Sequence, residues 1–361
     1  MKGRTVPTTS IREVAEHAGV SVGTVSNVLN RPDVVAATTR QRVLDAIEKL
    51  GFVRNEAARS LRAGRSRTVG LLVLDVANPF FTDVAAGAES VADVNNTVVT
   101  LCNSGEDAER ERRHLAHLEE QRVQGVLVTP VDIANGQLDR LVDRGIPVVL
   151  VDRGSQKRNR CSVAVNDLLG GRLAATHLVE LGHRRIAFVG GPMSIPQVSQ
   201  RRQGAETVVA EQEPAPTLTI LETDSLTVTA GRQAAERLVA MPATRRATGV
   251  VCANDLIALG VLQVVMRAGL RVPNDIAIVG YDDIVYAEAA AVPLSSVRQP
   301  REQLGRTAAE LLFEEICAPD KHRHRQVVFE PELVVRASSD HRRRRSTRGQ
   351  GRTRAPTRSE V

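Results

Sequence analysis

The chain has 361 residues, 42% of them apolar and 25% charged, with 48 Lys/Arg against 42 Asp/Glu and a net charge of +6. That length suggests two or three domains, and the balance excludes a wholly disordered or collagen-like chain. No apolar run approaches the roughly 18 residues of a membrane helix, and Met1–Ser10 has no apolar leader core, so a cytoplasmic protein without membrane contact is expected.

The charge is uneven. Residues 1–67 hold twelve Lys/Arg against six Asp/Glu, and residues 340–361 hold eight against two, leaving an acidic middle of 28 against 34. A basic head and a basic tail around an acidic body point to a polyanionic partner at the ends only. The tail after Ser338, with Arg342 to Arg345 in one run, has little to bury and is expected to be disordered. Cys102, Cys161, Cys252 and Cys317 are widely separated and form no CxxC, so neither a disulfide framework nor structural zinc is expected.

In the head, Ile11, Val14, Ala15 and Ala18 fall on one helix face. Gly19 suits a tight turn, Ser21 suits the N-cap of a second helix, and Val25, Val28 and Leu29 form its apolar face. Thr38 or Thr39 can cap a third helix with Val43, Leu44, Ile47 and Leu50 inward and Gly51 at its end. Helix, short turn, helix and a supporting helix make a helix-turn-helix arrangement, although a plain three-helix bundle has the same periodicity. A rival motif overlaps it: Gly19-Val20-Ser21-Val22-Gly23 matches the GxSxG nucleophile elbow. That elbow needs a buried strand before it, whereas Arg12–Ala18 reads as an amphipathic helix.

From Thr68 onward, short aliphatic runs alternate with amphipathic helices. Strands are predicted at Val69–Leu74, Val98–Cys102, Val126–Thr129, Pro147–Val151, Arg185–Val189, Gly249–Cys252 and Ile276–Val279. Helices are predicted at Asp107–Gln121, Leu168–Leu181, Ala230–Met241 and Asp255–Ala268, with Val297–Gln299 and Arg301–Glu315 closing the fold. This pattern predicts two doubly wound parallel α/β lobes, about 68–160 with 294–318 and about 165–290 with 325–338. GxGxxG and GxxxxGK are absent from the sequence, which gives a nucleotide-dependent enzyme little support.

Ligands of open α/β sheets bind beyond the carboxyl ends of the strands. The candidates there are Asn78-Pro79-Phe80-Phe81, Asp152-Arg153, Asn254-Asp255 and Asp282-Asp283, with Arg201 expected to open a helix in the second lobe. Carboxylates accept paired hydroxyls, Arg and Asn bond around a ring, and Phe covers an apolar face. Helix capping explains Asn78 and Asn254 equally well, and Phe80 reads equally as core. His114 with His117, and His322 with His324, lack a supporting Cys or carboxylate set in the sequence, so no metal or cofactor is expected.

The run Ile11–Asn30 (IREVAEHAGVSVGTVSNVLN), the run Thr39–Phe52 and the segment Asn55–Leu61 (NEAARSL) resemble the DNA-binding head and hinge of the LacI family of bacterial transcription regulators. The resemblance continues to about Ser338. It implies a helix-turn-helix domain at 1–54, a hinge helix and linker at 55–67, a periplasmic-binding-protein-like effector and dimerisation domain at 68–338, and a tail at 339–361.

On this resemblance Val22, Gly23 and Asn27 face base edges in the major groove of operator DNA. Val22 offers apolar contact and Gly23 no side chain, and Asn27 replaces the Arg often found there, favouring adenine over guanine. Ser21, Thr24, Ser26 and Asn30 carry short polar groups suited to phosphates. Asn55, Ala58 and Leu61 belong to the hinge, with Leu61 wedging a base step in the minor groove. Arg54 and Glu56 depart from the Pro and small residue usual in relatives. Phe80, Arg201, Asn254 and Asp282 match positions that hold the effector.

The resulting expectation is a cytoplasmic homodimeric regulator, usually a repressor in this family, whose DNA affinity is set by a small molecule, a sugar or nucleoside. It is not expected to be an enzyme. The competing readings are a small-molecule receptor without a DNA role and, on the GxSxG match, a serine hydrolase.

Overall fold

Residues 9–52, 66–133, 136–155 and 157–340 are described by the computed structural model. The chain divides into two units, Met1–Ser66 and Arg67–Val361. The expected hinge residues Asn55, Ala58 and Leu61, and the basic tail beyond residue 340, lie outside the described residues.

The head consists of α1 (Ile11–Ala18), α2 (Val22–Asn30), a short 3-10 turn (Pro32–Val34) and α3 (Ala37–Leu50). Ser10 and Glu13 form a reciprocal capping box at the start of α1, and Gly19 ends it with φ +60. The apolar positions of all three helices meet in one core around Val14, Ala18, Val25, Val28, Val43 and Ala46. Arg42 on α3 donates to the carbonyls of Ala18 and Gly19, so a cation satisfies the C-terminal end of α1. Two expectations about α3 need correction. Thr38 and Thr39 lie inside the helix, whose N-cap is Ala36 without a side-chain bond, and Leu44 faces outward at 44% exposure. Ala46 takes the inward place instead, buried with Val43 in the core shared by the three helices.

The body holds two six-stranded sheets. The first runs β11-β5-β4-β3-β1-β2 and is parallel throughout. Its strands are β1 (Thr68–Val73), β2 (Val98–Asn103), β3 (Gly125–Val128), β4 (Val148–Val151), β5 (Cys161–Val165) and β11 (Gln326–Phe329). The second runs β12-β10-β9-β8-β6-β7, comprising β6 (Arg185–Gly190), β7 (Thr217–Glu222), β8 (Gly249–Cys252), β9 (Ala277–Asp282), β10 (Ser295–Arg298) and β12 (Glu332–Val334). Only β12 is antiparallel to its neighbour. Each sheet thus repeats one doubly wound order, with the chain reversing direction between β1 and β3 and again between β6 and β8.

Helices α4 (Pro79–Val94), α5 (Ala108–Glu120), α6 (Gly136–Asp143) and α12 (Arg301–Cys317) cover the first sheet. The second is covered by α7 (Asp167–Glu180), α8 (Pro196–Ala210), α9 (Val228–Ala240) and α10 (Asp255–Arg267), with the short α11 (Val285–Ala289) after β9. Three helix pairs touch backbone to backbone through glycines on both partners: Gly87 with Gly305, Gly171 with Gly204, and Gly231 with Gly260. A Cβ on any of the six would fall 1.9–2.4 Å from a carbonyl oxygen of the facing helix.

The lobe boundaries differ from the expected ones. Residues 295–298 join the second sheet rather than the first, and 326–329 join the first rather than the second. The chain therefore crosses between lobes three times, at Asn166, at Gln299-Pro300 and at Glu330-Pro331. Hydrophobic runs identify strands but not sheet membership, and the connections here are too short to mark a boundary.

Candidate functional site

On the head, α2 presents one open face. Its buried residues Val25 and Val28 turn inward, leaving Ser21, Val22, Gly23, Asn27 and Asn30 exposed and Thr24 and Ser26 half-buried. Ser21 Oγ accepts the backbone N–H of Thr24 at 3.1 Å and lies 2.9 Å from the Thr24 hydroxyl. Asn30 Nδ2 donates to the Ser26 carbonyl at 2.8 Å. The residue at the centre of the GxSxG motif is thus a helix cap, and helix α1 precedes it where an elbow needs a strand. Gly23 and Asn27, four residues apart, lie about one turn apart on the exposed face.

In the body, the sheets aim their carboxyl ends at a shared cavity. It is lined by Asn78, Phe80, Asp152, Gln197, Arg201, Asn254 and Asp282, among others, and encloses about 480 Å³ of empty space, part of it open to solvent. All four expected effector residues, Phe80, Arg201, Asn254 and Asp282, line this one cavity. Arg201 does not open α8 as expected, since the helix begins at Pro196 and Arg201 sits in its second turn.

The cavity is organised around Arg201, which is buried. Its Nε donates to Asp167 Oδ1 at 2.7 Å, its Nη1 donates to the Ala253 carbonyl at 2.7 Å, and Asp282 Oδ1 stands 3.7 Å away. The guanidinium stacks 3.6 Å from the centroid of the Tyr281 ring. Burial alone opposes its charge, but Asp167, Tyr281, Asp282 and Asp152 around it keep it protonated.

Asp282 ends β9 with φ +99, and Asp152 follows β4 with φ +54. Non-glycine residues with positive φ at strand ends mark stored strain, and here both turn carboxylates to the cavity. Asp282 is held from two sides. Gln299 Nε2 donates to its Oδ1 at 2.7 Å and Asn78 Nδ2 to its Oδ2 at 3.3 Å, while Arg301 Nη1 donates to its carbonyl at 2.5 Å and Arg301 Nε pairs with Asp83 at 2.7 Å. Asp152 Oδ2 accepts from Gln197 at 3.0 Å, and its Oδ1 has no hydrogen-bond partner among the described residues. Burial, with Asp167 nearby, pushes the Asp152 carboxyl up to about 7. Burial likewise raises Asp167 and Asp282, opposed by Arg201.

The purely structural readings hold alongside the binding ones for three residues. Asn254 caps α10 through Ile257 N at 2.9 Å and donates to the Leu226 carbonyl at 3.0 Å. Asn78 caps α4 through Phe80 N at 3.0 Å. Phe80 is fully buried and packs edge-on against Phe81 at 5.0 Å, so it is both core and cavity wall.

Sequence reasoning missed Asp167, Gln197 and Gln299. Asp167 was hidden because β5 was not anticipated, so a helix-opening acid beside a sheet end went unseen. The expectation that His322 and His324 lack supporting ligands is also corrected, because Cys161 Sγ lies 3.2 Å from His322 Nε2 and 3.9 Å from His324 Nδ1, with Glu315 beside both rings.

Residues 10–55 match the model of bacterial regulatory proteins of the lacI family, and residues 175–339 match a periplasmic binding protein-like domain. The chain is 36% identical over 340 residues to the HTH-type transcriptional repressor PurR of Aliivibrio fischeri, spanning 92% of this chain and 99% of that one. It belongs to the LacI family of bacterial transcription regulators. Among solved structures, the lac repressor dimer bound to operator and an anti-inducer superposes with a TM-score of 0.78 at 27% identity, covering 92% of this chain and 99% of that one. The transcriptional regulator CelR in complex with cellobiose superposes with a TM-score of 0.65 at 31% identity, covering 92% and 100%. As a LacI-family member the protein is a DNA-binding transcriptional regulator. Among the described residues, no helix is long and apolar enough to cross a membrane.

Proposed function

We propose that the protein is a cytoplasmic, homodimeric, non-enzymatic repressor whose α2 reads operator DNA and whose interlobe cavity binds a neutral polyhydroxylated effector, a sugar or nucleoside. The observation that carries the effector reading is the convergence of Arg201, Asp152, Asp282 and Phe80 on one buried cavity. Carboxylates and a guanidinium accept from and donate to ring hydroxyls, and Phe80 supplies the apolar surface. CelR, a relative with the same fold, carries cellobiose.

The cavity lies between the carboxyl ends of the two sheets, so a ligand there touches both lobes at once. Two of the three interlobe connections are tied to the site. Asp167 follows the first and holds Arg201, and Gln299 lies in the second and holds Asp282. A ligand that replaces these bonds changes the strain on the connections and hence the relative placement of the lobes, which is how it would bias operator affinity. Val94, Val98 and Leu101, exposed on α4 and the edge strand β2, offer apolar surface for a second copy.

The test is operator selection with purified protein, followed by a screen of sugars and nucleosides for altered affinity and by calorimetry of Asp282→Ala. The log–log salt slope of operator binding should be steep, about −0.9 per neutralised phosphate. Absence of any duplex preferred over random competitor would refute the DNA reading. Undiminished effector binding by Asp282→Ala would refute the cavity assignment.

A further inference from the structure

The geometry points to a transition-metal site, for Zn²⁺ or a similar borderline ion, formed by Cys161, His322, His324 and Glu315 on the outer side of the first lobe. Cys161 opens β5, Glu315 lies in the last turns of α12, and the two histidines sit on the connection from α12 to β11. The ligand atoms of Cys161, His322 and His324 all lie within 4.8 Å of one another. Glu315 Oε2 stands 3.9 Å from His322 Nε2 and 3.8 Å from His324 Nδ1. Four donors about 2.0–2.3 Å from a tetrahedral zinc ion are about 3.3–3.8 Å apart, so the Cys–His and Glu–His spacings need only small shifts, and Glu315, outside the close group of three, would turn in to complete the set.

Three further features match a metal site. Glu315 Oε2 is a buried oxygen without a hydrogen-bond donor among the described residues, although it faces both rings. His322 turns Nε2 toward the cluster and Nδ1 toward Glu314 Oε2 at 3.7 Å, from which a small shift would give the carboxylate–histidine bond that orients a ligating imidazole. The Cys161 sulfur accepts the backbone N–H of Arg325 at 3.2 Å, which fixes the sulfur in place at the start of β5. The cations around the cluster are themselves engaged, Arg160 by Asp139 and Arg325 by Glu314. An open depression bounded by His322, Cys317, Ala318 and Lys321 gives an ion a route inward. An occupied site would staple β5 to the start of β11, the strands that precede two of the three interlobe connections.

The experiment uses the full chain, stripped of metal with a chelator and titrated with Co²⁺. The expected result is one equivalent bound at micromolar concentration, with a thiolate-to-cobalt charge-transfer band and the intense visible bands of four-coordinate cobalt, both removed by Zn²⁺. Cys161→Ser should lose the charge-transfer band. Because Cys161 is buried, His324→Gln at an exposed position serves as the second variant, with affinity falling at least tenfold. Cys317→Ser should leave the spectrum unchanged. No stoichiometric binding at micromolar Co²⁺, a band that survives in Cys161→Ser, or one that disappears in Cys317→Ser would overturn the proposal and leave a hydrogen-bonded Cys–His–Glu cluster.

Discussion

Asp167 accepts the Nε–H of Arg201 at 2.7 Å, and both side chains are about 5% exposed. The pair joins the first residue after an interlobe connection to the centre of the cavity. Removing one partner leaves the other charge buried, which typically costs about 3–5 kcal/mol, whereas removing both costs less. Arg201→Ala should therefore lower the urea midpoint of the body strongly, and adding Asp167→Asn should recover part of the loss. A double variant whose loss equals the sum of the singles would show that the two side chains do not stabilise each other.

The carboxyl of Asp152, raised to about 7 by burial and by Asp167, sets a pH dependence. Its folded value lies above its ordinary one, so the folded state holds the proton more tightly. That stabilisation is complete below about pH 4 and is lost as pH rises through about 7. Asp167 and Asp282 shift in the same direction and add to the trend. The melting temperature should be higher at pH 5.5 than at pH 8, with a shallower difference in Asp152→Asn. A melting profile of Asp152→Asn that parallels the unmodified protein across this range would assign the effect to other groups.

Much of this site was legible in the sequence, because ligand positions in a doubly wound sheet follow directly from where strands end. Asp282 and Asn254 were placed by that rule, and Phe80 by the strand ending near Leu74. What the rule could not supply was pairing. Asp167 and Arg201 are 34 residues apart, and Gln299 reaches Asp282 only because β10 joins the second sheet, a fact hydrophobic runs do not encode. The left-handed backbone of Asp152 and Asp282 was equally hidden, since neither residue is a glycine. The Cys161 cluster was missed for the same reason, its thiol being 161 residues from His322.

On the head, Asn27 lies exposed on the open face of α2. An Asn amide pairs bidentately with adenine, and a good bidentate pair discriminates by about 1–3 kcal/mol. Operator selection should return adenine at one fixed position per half-site, and Asn27→Ala should relax that position while leaving the salt slope of binding unchanged. Recovery of an invariant guanine there, or a loss of preference spread over the whole half-site, would show that Asn27 does not read that base.

The closeness of α7 and α8 is what lets Arg201 reach Asp167. A Cβ on Gly204 would lie 2.2 Å from the Leu168 carbonyl oxygen, and one on Gly171 would lie 1.9 Å from that of Arg201 itself. Backbone cannot yield as a side-chain tip does, so Gly204→Ala must part the helices. Overpacking of this kind typically costs about 1–3 kcal/mol. It should also lengthen the Arg201–Asp167 bond, so effector affinity should fall together with stability. Gly136→Ala is the control, since a Cβ there meets nothing within 4 Å. If Gly204→Ala lowered the urea midpoint yet bound effector as the unmodified protein does, the helix spacing would matter for packing alone, and the link from α7–α8 contact to the cavity would be wrong.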